Sequence, residues 1–458
     1  MKRILFLLQA IFFAPACAWA NEAAGRAEGP ALFGIPLDFI LFALVLLGVA
    51  LFHSKTLQVA LTGVTTIIVY KLVFTGFKHG DGLAGLGLHF QHEWVILTNL
   101  FCLLVGFALL SAHFEHSKVP DVLPRFLPGG WIGSFVLLVL IFILSSFLDN
   151  IAAALIGGTI AKTVFRNKVH IGYLAAIVAA SNAGGAGSVV GDTTTTMMWI
   201  AGISPAAVLH AYAGAVVALV IFGIPGALQQ DKYSPIQADH TTVFKIDFAR
   251  VMIVAVILII AIGTNVVVNV KFSEVSDSFP FIGVAVWAAL LACTPLRSPD
   301  WKLLPETFKG SLFLLSLVVC ASLMPVEKLP IASWGTALGL GYVSAVFDNI
   351  PLTALAIKQG GYDWGVLAYT VGFGGSMVWF GSSAGVALSN LFPEAKSVAN
   401  WIRHGWMVIV AYTVGFFVML TLVGWHPSAD RYHNPATQAE QSQHSAPTEQ
   451  PLAPPPSH

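Results

Sequence analysis

The sequence predicts an all-α membrane protein with many transmembrane helices and two repeats of inverted topology. Hydrophobic residues make up 56% of the 458 positions and charged residues only 10%, so most of the chain is too apolar for the surface of a water-soluble protein. The 23 basic residues balance the 23 acidic ones and are scattered along the chain. Because nucleic-acid binding needs a concentrated basic face, we exclude nucleic acid as a partner and expect a lipid bilayer instead.

Eight apolar segments predict ordinary transmembrane helices. A bilayer core of about 30 Å takes roughly 20 residues of α-helix to cross. The predicted spans lie near 32–52, 56–77, 94–113, 207–228, 250–270, 281–295, 311–327 and 404–425.

The chain divides into two halves between a signal sequence and a polar tail. Residues 1–20 combine a basic start, an apolar run and small residues at the end, which is typical of a signal sequence. The first half is 21–228, a polar linker occupies 229–249, and the second half is 250–425. Residues 426–458 are rich in Pro, Gln, Ser and His, which predicts a disordered tail.

The distribution of Lys and Arg predicts the orientation, because cytoplasmic loops carry the excess of these residues. We place residue 21 outside and let 131–161 and 331–357 each enter and leave the membrane by one face. The cytoplasmic loops then hold twice as many basic residues as the outer loops. This orientation predicts a cytoplasmic linker at 229–249 and a periplasmic tail, in the inner membrane of a bacterial-type cell.

Two stretches that are apolar but interrupted by polar and glycine residues, 131–203 and 331–392, resemble each other. Each contains an Asp-Asn pair followed by three glycines that match those of the other stretch. The matched residues are Asp149-Asn150 with Asp348-Asn349, Gly184-Gly185 with Gly374-Gly375, and Gly191 with Gly381. In the predicted orientation the first hairpin opens to the cytoplasm and the second to the periplasm, as an inverted repeat requires.

These interruptions predict a binding site. Unpaired backbone at membrane depth is tolerated only where it lines a cavity, and broken helices in transporters bind ions there. Asp149, Asp192 and Asp348 lie in these segments, and each would cost roughly 2.5–3.5 kcal/mol at a helix centre. Since 169–231 and 331–357 contain no Lys or Arg, a bound cation or protons would offset this cost.

Asp192 precedes a run of four threonines that begins at Thr193. One interpretation is a helix N-cap with threonines bonded to the backbone, and the other is a set of oxygen ligands for a hard cation. The two interpretations are compatible.

At these residues the sequence resembles the NhaD-type sodium/proton antiporters, within an ion-transporter superfamily that also contains arsenite permeases and citrate and dicarboxylate carriers. The motifs that carry the resemblance are Ser181–Gly185, Gly191–Ile200, Gly375–Met377 and Gly381–Val386. One departure is that Ser188-Val189-Val190-Gly191-Asp192 lacks the proline that the family pattern has at the second of these positions.

The resemblance implies a homodimer of chains with two inverted repeats, each chain with a scaffold and a moving transport domain. It implies exchange of sodium or lithium for protons by alternating access, with shared buried carboxylates and no cofactor. The implied ion-binding residues are Asp149, Asn150, Asp192, Thr193, Asp348, Asn349, Ser376 and Ser382, with the three aspartates as sodium ligands, and the helix-break residues are Gly184, Gly185, Gly191, Gly374, Gly375 and Gly381.

Two other functions are open to the sequence. A cation-coupled carrier of citrate or another anion would need positive charge near the site, whereas the membrane segments contain aspartates. A membrane enzyme could use His92-Glu93 or the group His113, Glu115 and His116, but these lack a third zinc ligand at helical spacing. We therefore expect a transporter and not an enzyme, with Glu115 as a candidate proton relay or sensor.

Overall fold

The computed structural model describes residues 29–427 except 53–54, 79, 237–244, 273–274 and 276–277. The predicted signal sequence, most of the predicted tail and the centre of the predicted linker lie outside these residues. The described chain is helical apart from loops and two short antiparallel strands, β1 (Ala31–Leu32) and β2 (Ile35–Pro36).

Three helices open the first half: α1 (Leu37–Leu51), α2 (Thr56–Tyr70) and α3 (Gly82–His116). A π-helical turn, Lys71–Thr75, extends α2. Helix α3 has 35 residues, about 52 Å at 1.5 Å per residue, so it is longer than a bilayer core and longer than the predicted span. The short helix α4 (Val119–Val122) and a 3₁₀ turn at Leu123–Phe126 follow.

The first interrupted stretch forms four helices. They are α5 (Gly130–Ser145), α6 (Asn150–Val164), α7 (Ile171–Ala186) and α8 (Thr193–Ile200). Helices α5 and α6 pack on each other and on α7. The half closes with α9 (Pro205–Leu209) and α10 (Ala211–Tyr233), so the linker boundary that we predicted at residue 228 falls inside a helix.

The second half begins with α11 (Phe248–Lys271), α12 (Phe281–Cys293) and α13 (Leu304–Ser322), and 3₁₀ turns lie at Trp301–Leu303 and Val326–Lys328. The second interrupted stretch forms α14 (Trp334–Ser344), α15 (Asn349–Gln359), α16 (Trp364–Gly374) and α17 (Ser383–Leu391). A 3₁₀ turn at Pro393–Lys396 leads into α18 (Val398–Leu422). The order of elements is the same as in the first stretch.

Six helical segments among the described residues are long and apolar enough to cross a membrane: Thr56–Thr75, Gly82–His116, Pro205–Tyr233, Phe248–Val268, Trp301–Ser322 and Val398–Leu422. They confirm six of the eight predicted spans and an all-α polytopic membrane protein. The other two predicted spans, at 32–52 and 281–295, form shorter apolar helices of 15 and 13 residues. Each of these begins directly after a proline, Pro36 or Pro280.

Helices α7 and α16 occupy the centre of the protein. Every residue of α16 is buried, and so is every residue of α7 after Ile171. The two helices pack against each other, and α10 and α18 cover them. A second, smaller hydrophobic cluster joins α1, α2 and α13 to α15. The two interrupted stretches therefore meet in the interior.

Candidate functional site

A loop interrupts each of two central helices. Helix α7 ends at Ala186 and α8 begins at Thr193, while α16 ends at Gly374 and α17 begins at Ser383. Both breaks therefore lie at the glycines that the sequence singled out: Gly184, Gly185 and Gly191 in the first, and Gly374, Gly375 and Gly381 in the second.

Backbone contacts explain why glycine occupies these positions. A Cβ on Gly184 would overlap the carbonyl oxygen of Phe142, and a Cβ on Gly374 would overlap that of Gly341. The two contacts are equivalent in the two halves. Each broken helix therefore lies directly against the backbone of the hairpin that precedes it, at a distance that any larger residue would prevent.

The hydrogen bonds between hairpin and broken helix are also repeated. The Ser145 hydroxyl donates to the carbonyl oxygen of Ser181 (2.5 Å), and the Ser344 hydroxyl donates to that of Val371 (2.9 Å). Both bonds join the first arm of a hairpin to the third helix of the same stretch. The sequence repeat thus corresponds to a repeated local structure.

All three predicted aspartates are N-caps. Backbone amides donate to their carboxylates, from Ile151 to Asp149 (3.2 Å), from Thr194 to Asp192 (3.0 Å) and from Ile350 to Asp348 (3.0 Å). The positive end of a helix dipole stabilises a carboxylate at such a position. The N-cap interpretation of Asp192 is therefore correct, and its second carboxylate oxygen remains for another partner.

Asp192 is the most buried of the three. Its side chain is buried in the contact between α8 and α16, where its Oδ2 atom lies 3.3 Å from the place that a Cβ on Gly372 would occupy. This oxygen has no hydrogen-bond partner among the described residues. The Thr194 hydroxyl is near the carboxylate but is also buried without a hydrogen-bond partner in that part of the chain. A buried, unsatisfied carboxylate oxygen is unfavourable unless a proton or a cation binds it.

The three aspartates interact at a distance without forming a single cluster. Asp149 and Asp348 are close enough for their charges to act on Asp192. Yet no three side chains of His, Cys, Asp and Glu lie close enough to hold a metal ion, within the ranges that the structure describes. A cation on Asp192 would therefore need neutral oxygens to complete its ligands.

Asn182 connects the two halves, and the sequence reasoning missed it as a site residue. Its side-chain nitrogen donates to the hydroxyls of Ser376 (2.9 Å) and Ser382 (3.0 Å), and its oxygen accepts from the amide of Asn150 (3.1 Å). Four residues are buried here, three of which were predicted. The repeat comparison could not indicate Asn182, because Gly372 occupies the matching position.

The remaining predicted hydroxyl and amide groups differ in their availability. The Ser382 oxygen already accepts from Asn182 and from the backbone amide of Gly385, which uses both of its lone pairs. The amide nitrogen of Asn349 is buried without a hydrogen-bond partner among the described residues. Thr193 is buried, and Ser383, which was not predicted, donates to Asp348 (3.2 Å).

A narrow cleft reaches Asp149. Its volume is about 10 Å³, roughly the space that one water molecule needs. It is lined by Phe107, Leu110, Ser111, Phe147, Leu148, Asp149, Val190 and Leu258. Helices α3 and α11 therefore approach the tip of the first hairpin on the side of Asp149, where the cleft has room for about one water molecule.

The side chains considered for a membrane enzyme either contact other residues or are exposed. Glu93 forms an ion pair with Lys358, and His113 shares a hydrogen bond with Arg250 (2.9 Å). Glu115 is exposed at the end of α3, one turn beyond Ser111 of the cleft. Its role as a proton relay stays a prediction.

The fold and the site together define the class. An all-α polytopic membrane protein whose central helices are broken at buried carboxylates has the arrangement that secondary transporters use to bind ions.

The sequence is similar to sodium/proton antiporters. It is 27% identical over 346 residues to Sodium/proton antiporter 1 of Arabidopsis thaliana, a match that covers 66% of this chain and 58% of that protein. It is 24% identical over 384 residues to the Na⁺/H⁺ antiporter NhaD of Vibrio parahaemolyticus, covering 71% of this chain and 89% of that protein. The antiporter NhaD of Alkalimonas amylolytica is 25% identical over 348 residues, which are 66% of this chain and 70% of that protein.

These relatives confirm the resemblance to NhaD-type antiporters, and their names are those of transporters and not of enzymes. The match spans 58% of the length of the Arabidopsis protein. No protein-family model matches the chain.

Proposed function

We propose that this protein exchanges sodium or lithium ions for protons across a membrane, by alternating access to carboxylates buried between its two halves. Inorganic cations and protons are then the transported species, and no cofactor is needed. The observation that carries the proposal is the Oδ2 atom of Asp192, which is buried and lacks a hydrogen-bond partner among the described residues.

Asp192 fits both transported species. A proton on Oδ2 would neutralise the carboxylate, and a hard cation would satisfy the same oxygen through its preference for oxygen ligands. The Thr194 hydroxyl is near this carboxylate. Because one oxygen holds either a proton or a cation, binding of the two is mutually exclusive, and this competition couples their movements.

We assign Asp149 and Asp348 supporting roles. Their charges act on Asp192, so they increase the local preference for a cation. Asp149 borders the cleft and would receive the ion on its way to Asp192, while Asp348 and Asn349 approach from the other half. Asn150, Thr193 and Ser382 shape the site around them.

The wider architecture follows as a proposal from the repeated helix order and the basic loops. We propose two inverted repeats with re-entrant hairpins at α5–α6 and α14–α15, and halves that correspond to 21–228 and 250–425. We further propose a homodimer in the inner membrane of a bacterial-type cell, with the 426–458 tail in the periplasm.

The rival function is a cation-coupled carrier of citrate or another anion. Asp149, Asp192 and Asp348 accept hydrogen bonds from backbone amides, and Asp348 also accepts one from the Ser383 hydroxyl. These groups could contact an anion, but the negative charges of the three aspartates would repel it. The charge of the site therefore favours a cation.

The test is transport by the purified protein in proteoliposomes. Sodium, lithium, potassium and citrate are added in turn, and the collapse of a pH gradient is followed. We expect sodium or lithium to collapse the gradient and citrate to have no effect. Uptake of labelled citrate in place of cation-driven proton movement would refute the proposal.

Asp192→Asn gives the sharpest variant for this test. The asparagine oxygen can still accept from the Thr194 amide, so the N-cap and the fold should persist, but the side chain can no longer exchange a proton for a cation. We expect no antiport above that of empty liposomes, with unchanged yield and unfolding temperature. The exposed pair of Lys118 with Asp121 supplies the control Asp121→Asn, which should transport as the wild type does.

A further inference from the structure

Glu93, which the sequence analysis considered for an enzyme or a relay, forms an ion pair between two helices. Its Oε1 atom lies 2.6 Å from Nζ of Lys358, and the two side chains are 13% and 25% exposed. Glu93 belongs to α3 and Lys358 to the last turn of α15. Removing one partner from a partly buried pair leaves the other charge without compensation, so each side chain holds the other in place.

Lys358 also binds a third helix. Its ammonium donates to the carbonyl oxygen of Ser322 (2.9 Å) at the end of α13. The Ser322 hydroxyl in turn is hydrogen-bonded to Nε2 of His89 (2.9 Å), one turn before Glu93 on α3. The end of α15 is therefore fixed to both α3 and α13 through one ammonium group.

Helix α15 connects this anchor to the proposed ion site. It begins at Asn349, is capped by Asp348, and has 11 residues, about 16 Å at 1.5 Å per residue. Ile350 and Leu355 of α15 belong to the same hydrophobic cluster as Leu317 of α13. Because a short packed helix moves as a unit, the position of Lys358 at one end determines the position of Asp348 and Asn349 at the other.

The corresponding helix of the first half has no such anchor. Lys162 lies in the last turn of α6, as Lys358 does in α15. Its side chain is exposed, and it forms no ion pair with any of the residues that the structure describes. The two hairpins therefore differ in how their second arms are held.

We propose that Glu93 and Lys358 are positioning residues of the cation site, which hold α15 so that Asp348 and Asn349 face Asp192. The proposal rests on the proposed antiport. It assigns the charged pair a role in ion affinity without contact with the ion. The anchor holds the second hairpin, and the first hairpin is free of it.

The test compares Lys358→Met with the matched control Lys162→Met in proteoliposomes. We expect Lys358→Met to raise KM for sodium at least fivefold while kcat changes less than twofold, because the misplaced α15 weakens binding. Lys358→Arg keeps the charge and should restore KM to within twofold of the wild type. Lys162→Met should leave both constants unchanged.

The double variant Glu93→Gln with Lys358→Met tests the pair itself. If the two residues act as one unit, its KM should be no higher than that of Lys358→Met alone. A KM that equals the product of the two single effects would overturn the proposal, and so would a wild-type KM in Lys358→Met.

Hydrogen exchange separates this proposal from the antiport. The Ile350 amide donates to the Asp348 carboxylate, and its exchange should become faster in Lys358→Met and stay unchanged in Lys162→Met, whatever the protein transports. Faster exchange in Lys358→Met, together with a wild-type protein that shows no sodium-dependent antiport, would refute the proposed function but preserve the anchor. Unchanged exchange together with normal wild-type antiport would refute the anchor alone.

Discussion

The two halves of the protein share a backbone design and differ in their polar side chains. Both have a hairpin, a broken central helix and glycines that allow close contact between them. At matching positions, however, the first half has Asp192 where the second half has Ser382, and Asn182 corresponds to Gly372. The first half therefore supplies the buried carboxylate and the connecting amide, whereas the second half supplies hydroxyls.

This difference explains how a repeated structure can form one site. A second carboxylate in place of Ser382 would add a further buried negative charge beside Asp149, Asp192 and Asp348, at a cost that a single cation could not offset. Gly372 leaves the space into which Asp192 points. The shared backbone positions the site, and the unequal side chains determine what it binds.

The largest effect is expected from the shared feature. Gly184→Ala and Gly374→Ala both place a Cβ against a backbone carbonyl oxygen that cannot move away. We expect each to destabilise the protein by about 3 kcal/mol and to lower the unfolding temperature in detergent. Gly87→Ala is the control, because a Cβ there meets nothing within 4 Å. Loss of stability in only one of the two variants, Gly184→Ala or Gly374→Ala, would contradict the equivalence of the two contacts.

Much of the fold could be predicted from the sequence because membrane insertion imposes long apolar segments. The six long spans and both helix breaks follow from hydropathy and from glycine spacing. The start of α3 at Gly82 could not be predicted, because the residues before 94 are too mixed to indicate a membrane helix. The length of α10 was missed because its last turn is polar and resembles a loop.

The candidate site was predictable where charge or repetition marked it. Asp149, Asp192 and Asp348 are conspicuous because carboxylates are rare in such apolar stretches. Asn182 carries no charge and has no counterpart of the same type in the other half, so only the structure shows its role, whereas Thr194 lies in the threonine run that the sequence analysis considered for cation ligands. The Glu93–Lys358 pair joins residues 265 positions apart, and no local pattern relates them.

The proposed inverted orientation of the halves can be tested by labelling single cysteines. His116 and Lys168 flank the first hairpin, and Lys328 precedes the second; all three are exposed. In a background without Cys17, Cys102, Cys293 and Cys320, we expect His116→Cys and Lys168→Cys to react with an impermeant thiol reagent only from the cytoplasmic side. Lys328→Cys should react only from the outer side. Labelling of His116→Cys and Lys168→Cys from opposite sides would exclude a re-entrant first hairpin.

A smaller effect is expected from Asn182→Ala, which removes the amide that joins the halves. The variant loses the hydrogen bonds to Asn150, Ser376 and Ser382, and unsatisfied buried polar groups cost about 1–3 kcal/mol. Since about 1.4 kcal/mol corresponds to a tenfold change in affinity, we expect KM for sodium to rise about tenfold.

The matched control is Asn99→Ala. Asn99 is also buried and accepts from the backbone amide of Gly283 (2.9 Å) between α3 and α12, away from the breaks. Its loss should lower the unfolding temperature but leave KM within twofold of the wild type. If both variants raise KM equally, Asn182 acts only through stability. If only Asn182→Ala raises KM, the Asn182 amide positions the hydroxyls of the second half relative to the carboxylate of the first.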